Sequence, residues 1–192
     1  MSHRTSLSDP RVARSRERLR DAMLTLTLER GWDGVSVQDV CARARVGRST
    51  FYVHFADRED LLLASFRSDH IAPQRARRAE PLAFVQPLVE HVAQQRKLYE
   101  ALAGTSCEPA VTRRFTNVLA ETIERDLAQH RPTSMPRTAA VRFLTGAYRE
   151  TLTYWISGRS GASAAELVNL LKQLSRPAYE SHSLVASAAR SD

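Results

Sequence analysis

The sequence of 192 residues is poor in cysteine, glycine and lysine and contains no long apolar run. Its two cysteines, Cys41 and Cys107, stand far apart without a C-x-x-C partner, which excludes a disulfide framework and a zinc knuckle. No window approaches the roughly 18 uninterrupted apolar residues of a membrane span, and the arginine-rich N-terminal segment lacks a secretory signal. We therefore expect a cytoplasmic protein that needs no membrane, metal or cofactor.

Arginine supplies almost all of the positive charge. The formal net charge is +7, and Lys97 and Lys172 are the only lysines. Arginine suits bidentate contacts with phosphate and guanine. A genome rich in G and C also raises arginine content, however, and the positive charge is spread along the chain. Composition alone therefore does not decide the function.

The periodicity of the apolar residues predicts an all-α fold. Glycine and proline are sparse, and no alternating strand pattern is present. Ser36-Val37-Gln38-Asp39 and Ser163-Ala164-Ala165-Glu166 have the pattern of capping boxes, which mark helix starts. About nine helices are expected, at approximately residues 10–30, 36–44, 48–54, 57–70, 82–95, 97–103, 109–130, 137–157 and 163–180.

The segment 36–55, SVQDVCARARVGRSTFYVHF, predicts two short helices joined by a tight turn. Val46 lies where an apolar side chain must fill the turn, and Phe51 and Phe55 are spaced to seat the second helix on a core. Cys41 falls on the packed face of the first helix and is expected to be a core thiol. The remaining side chains of residues 48–54 point outward, and their Arg, hydroxyl, Tyr and His groups suit the major groove and its phosphates.

Residues 11–70 resemble the N-terminal DNA-binding domain of the TetR family of bacterial transcriptional regulators. The resemblance is most specific in Thr50-Phe51-Tyr52-Val53-His54-Phe55, which is similar to the family's recognition helix. Residues 36–44 resemble its second helix. Its first and fourth helices are matched by Leu19, Ala22, Leu26 and Gly31-Trp32, and by Arg58, Leu61 and Leu62.

The resemblance implies which residues contact DNA. Arg48 and Ser49 match positions that read base edges, and Gln38 lies close enough to reach a base. Five further positions match residues that grip phosphates, namely Ser36, Thr50, Tyr52, His54 and Arg58.

Three positions depart from the family pattern. Arg45 stands where many relatives have glycine in the turn, so we expect a left-handed backbone there, at a cost of about 1 kcal/mol. Gly47 replaces the usual serine or threonine cap, and both changes bear on the aim of the recognition helix. Thr27 occupies a commonly large apolar position, for which Leu28 is expected to compensate.

The resemblance also implies a domain plan. A three-helix helix-turn-helix DNA-binding domain is expected over residues 1–56, with a flexible start of about nine residues. A larger helical domain for effector binding and dimerisation follows over 57–182, after which 183–192 form a loose tail. A charged, proline-containing segment at 72–81 fits a boundary between two helical modules.

The second domain is expected to pair with its copy and to hold a ligand. The apolar stripes of the last two helices would form a four-helix interface with those of the second copy. The alternative is that these stripes pack within the chain. The predicted interface residues are Leu152, Trp155, Leu167, Leu170, Leu171 and Leu174. The predicted pocket residues, for which ordinary core packing is the alternative, are Phe66, His70, His91, Tyr99, Phe115 and Tyr148.

We therefore expect a homodimeric bacterial repressor that leaves a palindromic operator when a small-molecule effector binds. The alternatives are an activator, a DNA binder regulated by a protein, or a helical interaction protein that uses the helix-turn-helix as a scaffold. An enzyme is not expected, because no nucleotide-binding, zinc-protease or nucleophile-elbow motif is present. Redox sensing by Cys107, which precedes a helix start, is the remaining chemical possibility.

Overall fold

The chain folds into α-helices. The computed structural model describes residues 10–66, 80–130 and 136–179, and over these ranges it contains no strand. The nine α-helices of the described residues are α1 (Pro10–Arg30), α2 (Val37–Ala44), α3 (Arg48–His54), α4 (Arg58–Leu63), α5 (Val85–Gln94), α6 (Arg96–Leu102), α7 (Glu108–His130), α8 (Arg137–Ile156) and α9 (Ala164–Ser175). A short 3-10 helix follows at Arg176–Ala178. The expected all-α fold with about nine helices is confirmed.

The main difference from the expected helices concerns α4. This helix was expected to continue to about residue 70, but it ends at Leu63 and gives way to a turn that reaches Phe66. Its start agrees with expectation, because the Asp57 side chain accepts a hydrogen bond from the backbone N–H of Asp60 at 2.8 Å. The expected flexible start, the tail and all but the last two residues of the expected boundary segment at 72–81 lie outside the described residues.

Packing divides the chain into two compact units. Among the described residues, the first unit comprises those up to Phe66 together with Lys97–Arg114, and the second comprises the others. The functional boundary expected at residue 56 falls inside the first unit and stays a prediction.

The core of the first unit is apolar and joins distant parts of the sequence. It contains the expected stripe of α1, the packed face of α2, and aromatic residues from the α1–α2 loop and from α3. Cys41 lies in this core, as expected, and Val46 packs against it. Thr27 is also fully buried, and its hydroxyl donates to the Met23 sulfur, whereas Leu28 is 50% exposed and does not compensate for it.

The second unit buries polar groups among its apolar side chains. The Tyr148 hydroxyl on α8 lies 2.9 Å from Ser175 Oγ on α9, and both residues are buried. Asp126 on α7 accepts hydrogen bonds from the Tyr179 hydroxyl at 2.7 Å and from the Leu82 backbone N–H at 3.1 Å. The expected capping box at Ser163 and Glu166 starts α9.

None of the helices in the described ranges is long and apolar enough to cross a membrane.

Candidate DNA-binding site

The second helix of the helix-turn-helix is fixed at its start by a capping box. Ser36 Oγ accepts from the Asp39 backbone N–H at 3.2 Å, and Asp39 Oδ2 accepts from the Ser36 backbone N–H at 2.9 Å and from the Ser36 hydroxyl. These hydrogen bonds to Ser36 are the main reason that the pKa of Asp39 is lowered. Ser36 and Gln38 remain exposed at this helix end, where the resemblance predicts contacts with DNA.

Ion pairs hold α2 against the end of α1. Arg43 donates to Glu29 at 2.6 and 3.3 Å, and Arg30 reaches Asp39 at 3.5 Å. All four side chains are at least one-third exposed, so each pair contributes modestly to stability. Their effect is to set the position of α2 within the first unit.

The turn after α2 adopts the expected left-handed backbone at Arg45, with φ 52° and ψ 48°. The Arg45 N–H donates to the Ala42 carbonyl at 3.2 Å, and the Val46 N–H donates to the Cys41 carbonyl at 3.0 Å. This pair of bonds is the Schellman pattern, which satisfies the last carbonyls of a helix. Gly47 then caps α3 without a side-chain hydrogen bond.

Recognition helix α3 has one buried face and one exposed face. Phe51 is completely buried, and its ring lies 5.9 Å from that of Phe55 and 5.2 Å, edge to face, from that of Tyr52. Tyr52 is 52% exposed and Val53 76% exposed, and Arg48 and Ser49 are also exposed. The phenylalanine anchor therefore presents Arg48, Ser49 and Tyr52 outward.

Thr50 and His54 are half-buried rather than fully outward. Burial, followed by the nearby charge of Arg16, lowers the pKa of His54. A neutral imidazole still has one N–H that is able to donate to a phosphate oxygen. The Arg16 guanidinium lies 5.6 Å from the centre of the Phe55 ring, beside this end of α3.

Arg58 has contacts within the protein as well as its predicted phosphate contact. Its Nη1 donates to the carbonyl oxygens of Trp32 at 2.8 Å and of Val35 at 2.6 Å, and its guanidinium stacks 4.3 Å from the centre of the Trp32 ring. The Trp32 Nε1–H in turn donates to Ser106 Oγ at 3.2 Å. Arg58 thus ties the start of α4 to the loop that precedes the Ser36 cap, while its phosphate contact stays a prediction.

Two further arginines lie beside the turn that precedes α3, although the sequence pattern did not single them out as candidate site residues. Arg18 on α1 donates from Nη2 to the Arg45 carbonyl at 3.3 Å, and both residues line one groove. The sequence shows that α1 contains many arginines. It does not show which of these arginines face α2. The expected left-handed backbone at Arg45 was the only feature of the sequence that drew attention to either of these two arginines.

The predicted pocket residues are distributed over both compact units. Phe66 and Tyr99 lie in the first unit with ring centres 6.0 Å apart, whereas His91, Phe115 and Tyr148 lie in the second. The Tyr148 ring stacks 5.9 Å from Phe84, and burial raises the pKa of Tyr148 above its usual value. His70 lies outside the described residues.

The predicted interface residues also divide into two sets. Leu170 and Leu174 on α9 are 45% and 66% exposed, and Tyr154 on α8 is exposed as well. The other four are buried within the chain itself, as the alternative reading of intrachain packing has it; they are Leu152, Trp155, Leu167 and Leu171. Of the six predicted interface residues, Leu170 and Leu174 are thus the exposed ones, and the interface itself stays a prediction.

The cysteines show no sign of reactivity. Cys107 is completely buried, and this burial is the main reason that its pKa is raised, with a smaller opposite effect from the Thr105 hydroxyl 3.3 Å away. A raised pKa disfavours the thiolate that redox chemistry requires. Within the described ranges, no group of three or more His, Cys, Asp or Glu side chains is arranged to hold a metal ion.

Comparison with known proteins identifies the region that contains this site. Residues 19–65 match the model of the tetR family of bacterial regulatory proteins. Over 55 residues the chain is 38% identical to YxbF of Bacillus subtilis strain 168, an uncharacterized HTH-type transcriptional regulator. That match covers 28% of this chain and 14% of the relative's length. These matches are to transcription regulators, which agrees with the expectation that the chain is not an enzyme.

Solved structures share the fold over most of the chain. A TetR transcriptional regulator from Streptococcus agalactiae 2603V is 22% identical, with a TM-score of 0.62 over 86% of this chain and 95% of that one. NalD, the secondary repressor of the MexAB-OprM multidrug efflux pump in Pseudomonas aeruginosa, is 18% identical, with a TM-score of 0.59 over 90% and 99% of the two chains.

Proposed function

Residues 19–65 match the model of the tetR family of bacterial regulatory proteins, and from this premise we propose that the chain is a homodimeric repressor of that family whose operator is palindromic and whose effector is a small molecule. Such a regulator works in the cytoplasm, where the chromosome is.

The observation that best supports DNA binding is that α3 has one buried face and one exposed face. Phe51 is buried without residual exposure, so the outward direction of Arg48, Ser49 and Tyr52 is fixed by the core rather than by a mobile loop. A short helix with a guanidinium and a hydroxyl at its first residues fits recognition in the major groove. Tyr52 and the N–H of His54 supply donors for the flanking phosphates.

The exposed apolar side chains of α8 and α9 support dimerisation. Leu170 and Leu174 lie on the surface of α9, and Leu170 and Tyr154 border a groove of about 740 Å³. Packing of a second subunit on these side chains would remove their apolar surface from water, which is favourable. A two-fold axis there would give each dimer two recognition helices and hence a palindromic site.

A small-molecule effector acts if it binds two conformations of the dimer with different affinity. Among the predicted pocket residues, Tyr148 and His91 are the ones of the second unit that carry polar groups within the described ranges. Tyr148 donates or accepts its hydrogen bond with Ser175, so a ligand that enters there has to replace this bond. The mixed polarity suits an aromatic or amphipathic molecule.

Salt dependence of duplex binding tests the proposal against the scaffold reading. A dimer that grips several phosphates should lose about a thousandfold in affinity between 50 and 200 mM salt. We expect Tyr52→Ala to weaken binding to every duplex, and Arg48→Ala to relax base preference more than overall affinity. Val53→Ala, on the same exposed face, is the matched control.

Sedimentation of Leu174→Glu tests dimerisation separately. Leu174 is 66% exposed, so the substitution should leave the folded monomer intact and shift the equilibrium toward monomer, while Ala165→Glu, at an exposed position of the same helix outside the groove, should not. An unchanged dimer in Leu174→Glu would contradict the proposed interface. A folded chain with no affinity for duplex DNA at low salt would favour the scaffold reading.

A further inference from the structure

Arg45 carries a side chain at a backbone position that favours glycine. Its φ of 52° lies in the left-handed region, where a Cβ atom is disfavoured and glycine is the usual residue after a helix. The turn itself does not need this side chain. Its two closing hydrogen bonds come from the backbone N–H groups of Arg45 and Val46, which glycine at position 45 would preserve.

Arg45 borders a basic groove between α1 and α2. The α1–α2 groove has a volume of about 340 Å³ and is lined by Arg18, Asp21, Ala22, Thr25, Arg43, Ala44 and Arg45. Arg43 is neutralised by Glu29 at 2.6 Å. Neither Arg18 nor Arg45 forms an ion pair with any carboxylate in the described ranges, and this includes Asp21 in the groove itself.

The two guanidinium groups differ in how they are held. Arg18 donates one hydrogen bond to the Arg45 carbonyl at 3.3 Å, which fixes Arg18 beside the turn and leaves its other N–H groups available. The Arg45 guanidinium is exposed and has no hydrogen bond or ion-pair partner within the described residues. It stands three positions before Arg48, at the entrance to the recognition helix.

We propose that Arg45 contacts a phosphate of duplex DNA and that, with Arg18, it extends the DNA interface from α3 into the α1–α2 groove. This inference rests on the proposed DNA binding. A guanidinium offers a planar pair of donors that matches two phosphate oxygens. The proposed contact gives a role to a side chain at this disfavoured backbone position, because it adds positive charge three residues before Arg48.

The test is Arg45→Gly in the full chain, measured for unfolding and for DNA binding. The glycine should raise the denaturant concentration at the unfolding midpoint, because it relieves the left-handed strain. It should also lower affinity for a fixed mixed-sequence duplex several-fold and reduce the slope of log affinity against log salt by about 0.9 per bound subunit. Arg45→Lys should retain the slope, and Arg149→Ala, an exposed arginine of α8, controls for net charge.

Opposite changes in stability and DNA affinity are the expected result. A stabilised Arg45→Gly with unchanged affinity and salt slope would overturn the inference. A loss of affinity without a change in slope would also overturn it, because turn geometry rather than a phosphate contact would then be responsible. If the unaltered chain binds no duplex, the proposed function fails first, so the two failures are distinguishable.

Discussion

The two compact units differ in whether their polar side chains face outward or are buried. In the first unit the core is apolar, and the arginine, serine and tyrosine side chains of α2, α3 and the turn face outward. In the second, Tyr148 and Ser175 are buried against each other, while Leu170 and Leu174 are exposed. The first arrangement suits a charged, hydrated partner such as DNA, and the second suits an apolar partner such as another subunit.

The largest expected effect comes from removing the anchor of the first unit. Phe51→Ala deletes a completely buried ring that contacts Phe55 and should cost about 3–5 kcal/mol of unfolding free energy. Chemical denaturation followed by circular dichroism measures it. Val53→Ala, two residues away and exposed, should change stability by less than about 0.5 kcal/mol. Equal effects of the two changes would mean that α3 does not pack on its phenylalanine face.

A smaller loss is expected where a polar side chain of the first unit does point inward. Arg58→Met keeps a stem over Trp32 but removes the donor to the Trp32 and Val35 carbonyls, which should cost about 1–3 kcal/mol. Denaturation followed by tryptophan fluorescence reports on it directly. A variant as stable as the unaltered chain would show that Arg58 is free for DNA and that its internal contacts contribute little.

In the buried polar pair of the second unit, removing both polar partners should destabilise the chain less than the sum of the two single changes. Ser175→Ala leaves the Tyr148 hydroxyl without its partner and should cost about 1 kcal/mol. Adding Tyr148→Phe removes the orphaned hydroxyl and should recover part of that loss, which a double-mutant cycle of unfolding free energies measures. Strictly additive losses would contradict a coupled pair.

The smallest predicted effect is a gain. Gly47 caps α3 with φ −66° and no side-chain hydrogen bond, and a Cβ atom there would meet only Ser49 and Thr50 oxygens at 3.8 and 3.9 Å. Gly47→Ser should therefore stabilise the chain by a few tenths of a kcal/mol through a new cap. A measurable destabilisation, seen as a lower unfolding midpoint, would mean that the serine side chain cannot cap in this turn.

Local features of the first unit were predictable from the sequence because their physical causes are local. The capping box joins residues 36 and 39, the Phe51 and Phe55 rings are one helical turn apart, and the left-handed state of Arg45 follows from the short turn. The Arg58 hydrogen bonds reach back to Trp32 and Val35, and the Arg18 bond reaches forward to Arg45. Such contacts depend on how helices meet, which spacing alone does not specify.

The second unit was less predictable for a related reason. An apolar stripe shows that a helix face is covered but not by what, so Leu167 and Leu174 looked equivalent in sequence although one is buried and the other is 66% exposed. Aromatic and histidine side chains likewise fit a pocket or a core. Phe66 and Tyr99 turned out to pack together in the first unit, and the sequence had no signal for that pairing.

The most direct test of the central claim is selection of bound sequences from random duplex DNA by the purified chain, in moderate salt with nonspecific competitor. The account predicts an enriched palindrome whose half-sites are read by Arg48, so that Arg48→Ala relaxes the preference at one position of each half-site. A folded, dimeric chain that enriches no sequence, or an Arg48→Ala variant that selects an unchanged palindrome, would contradict it.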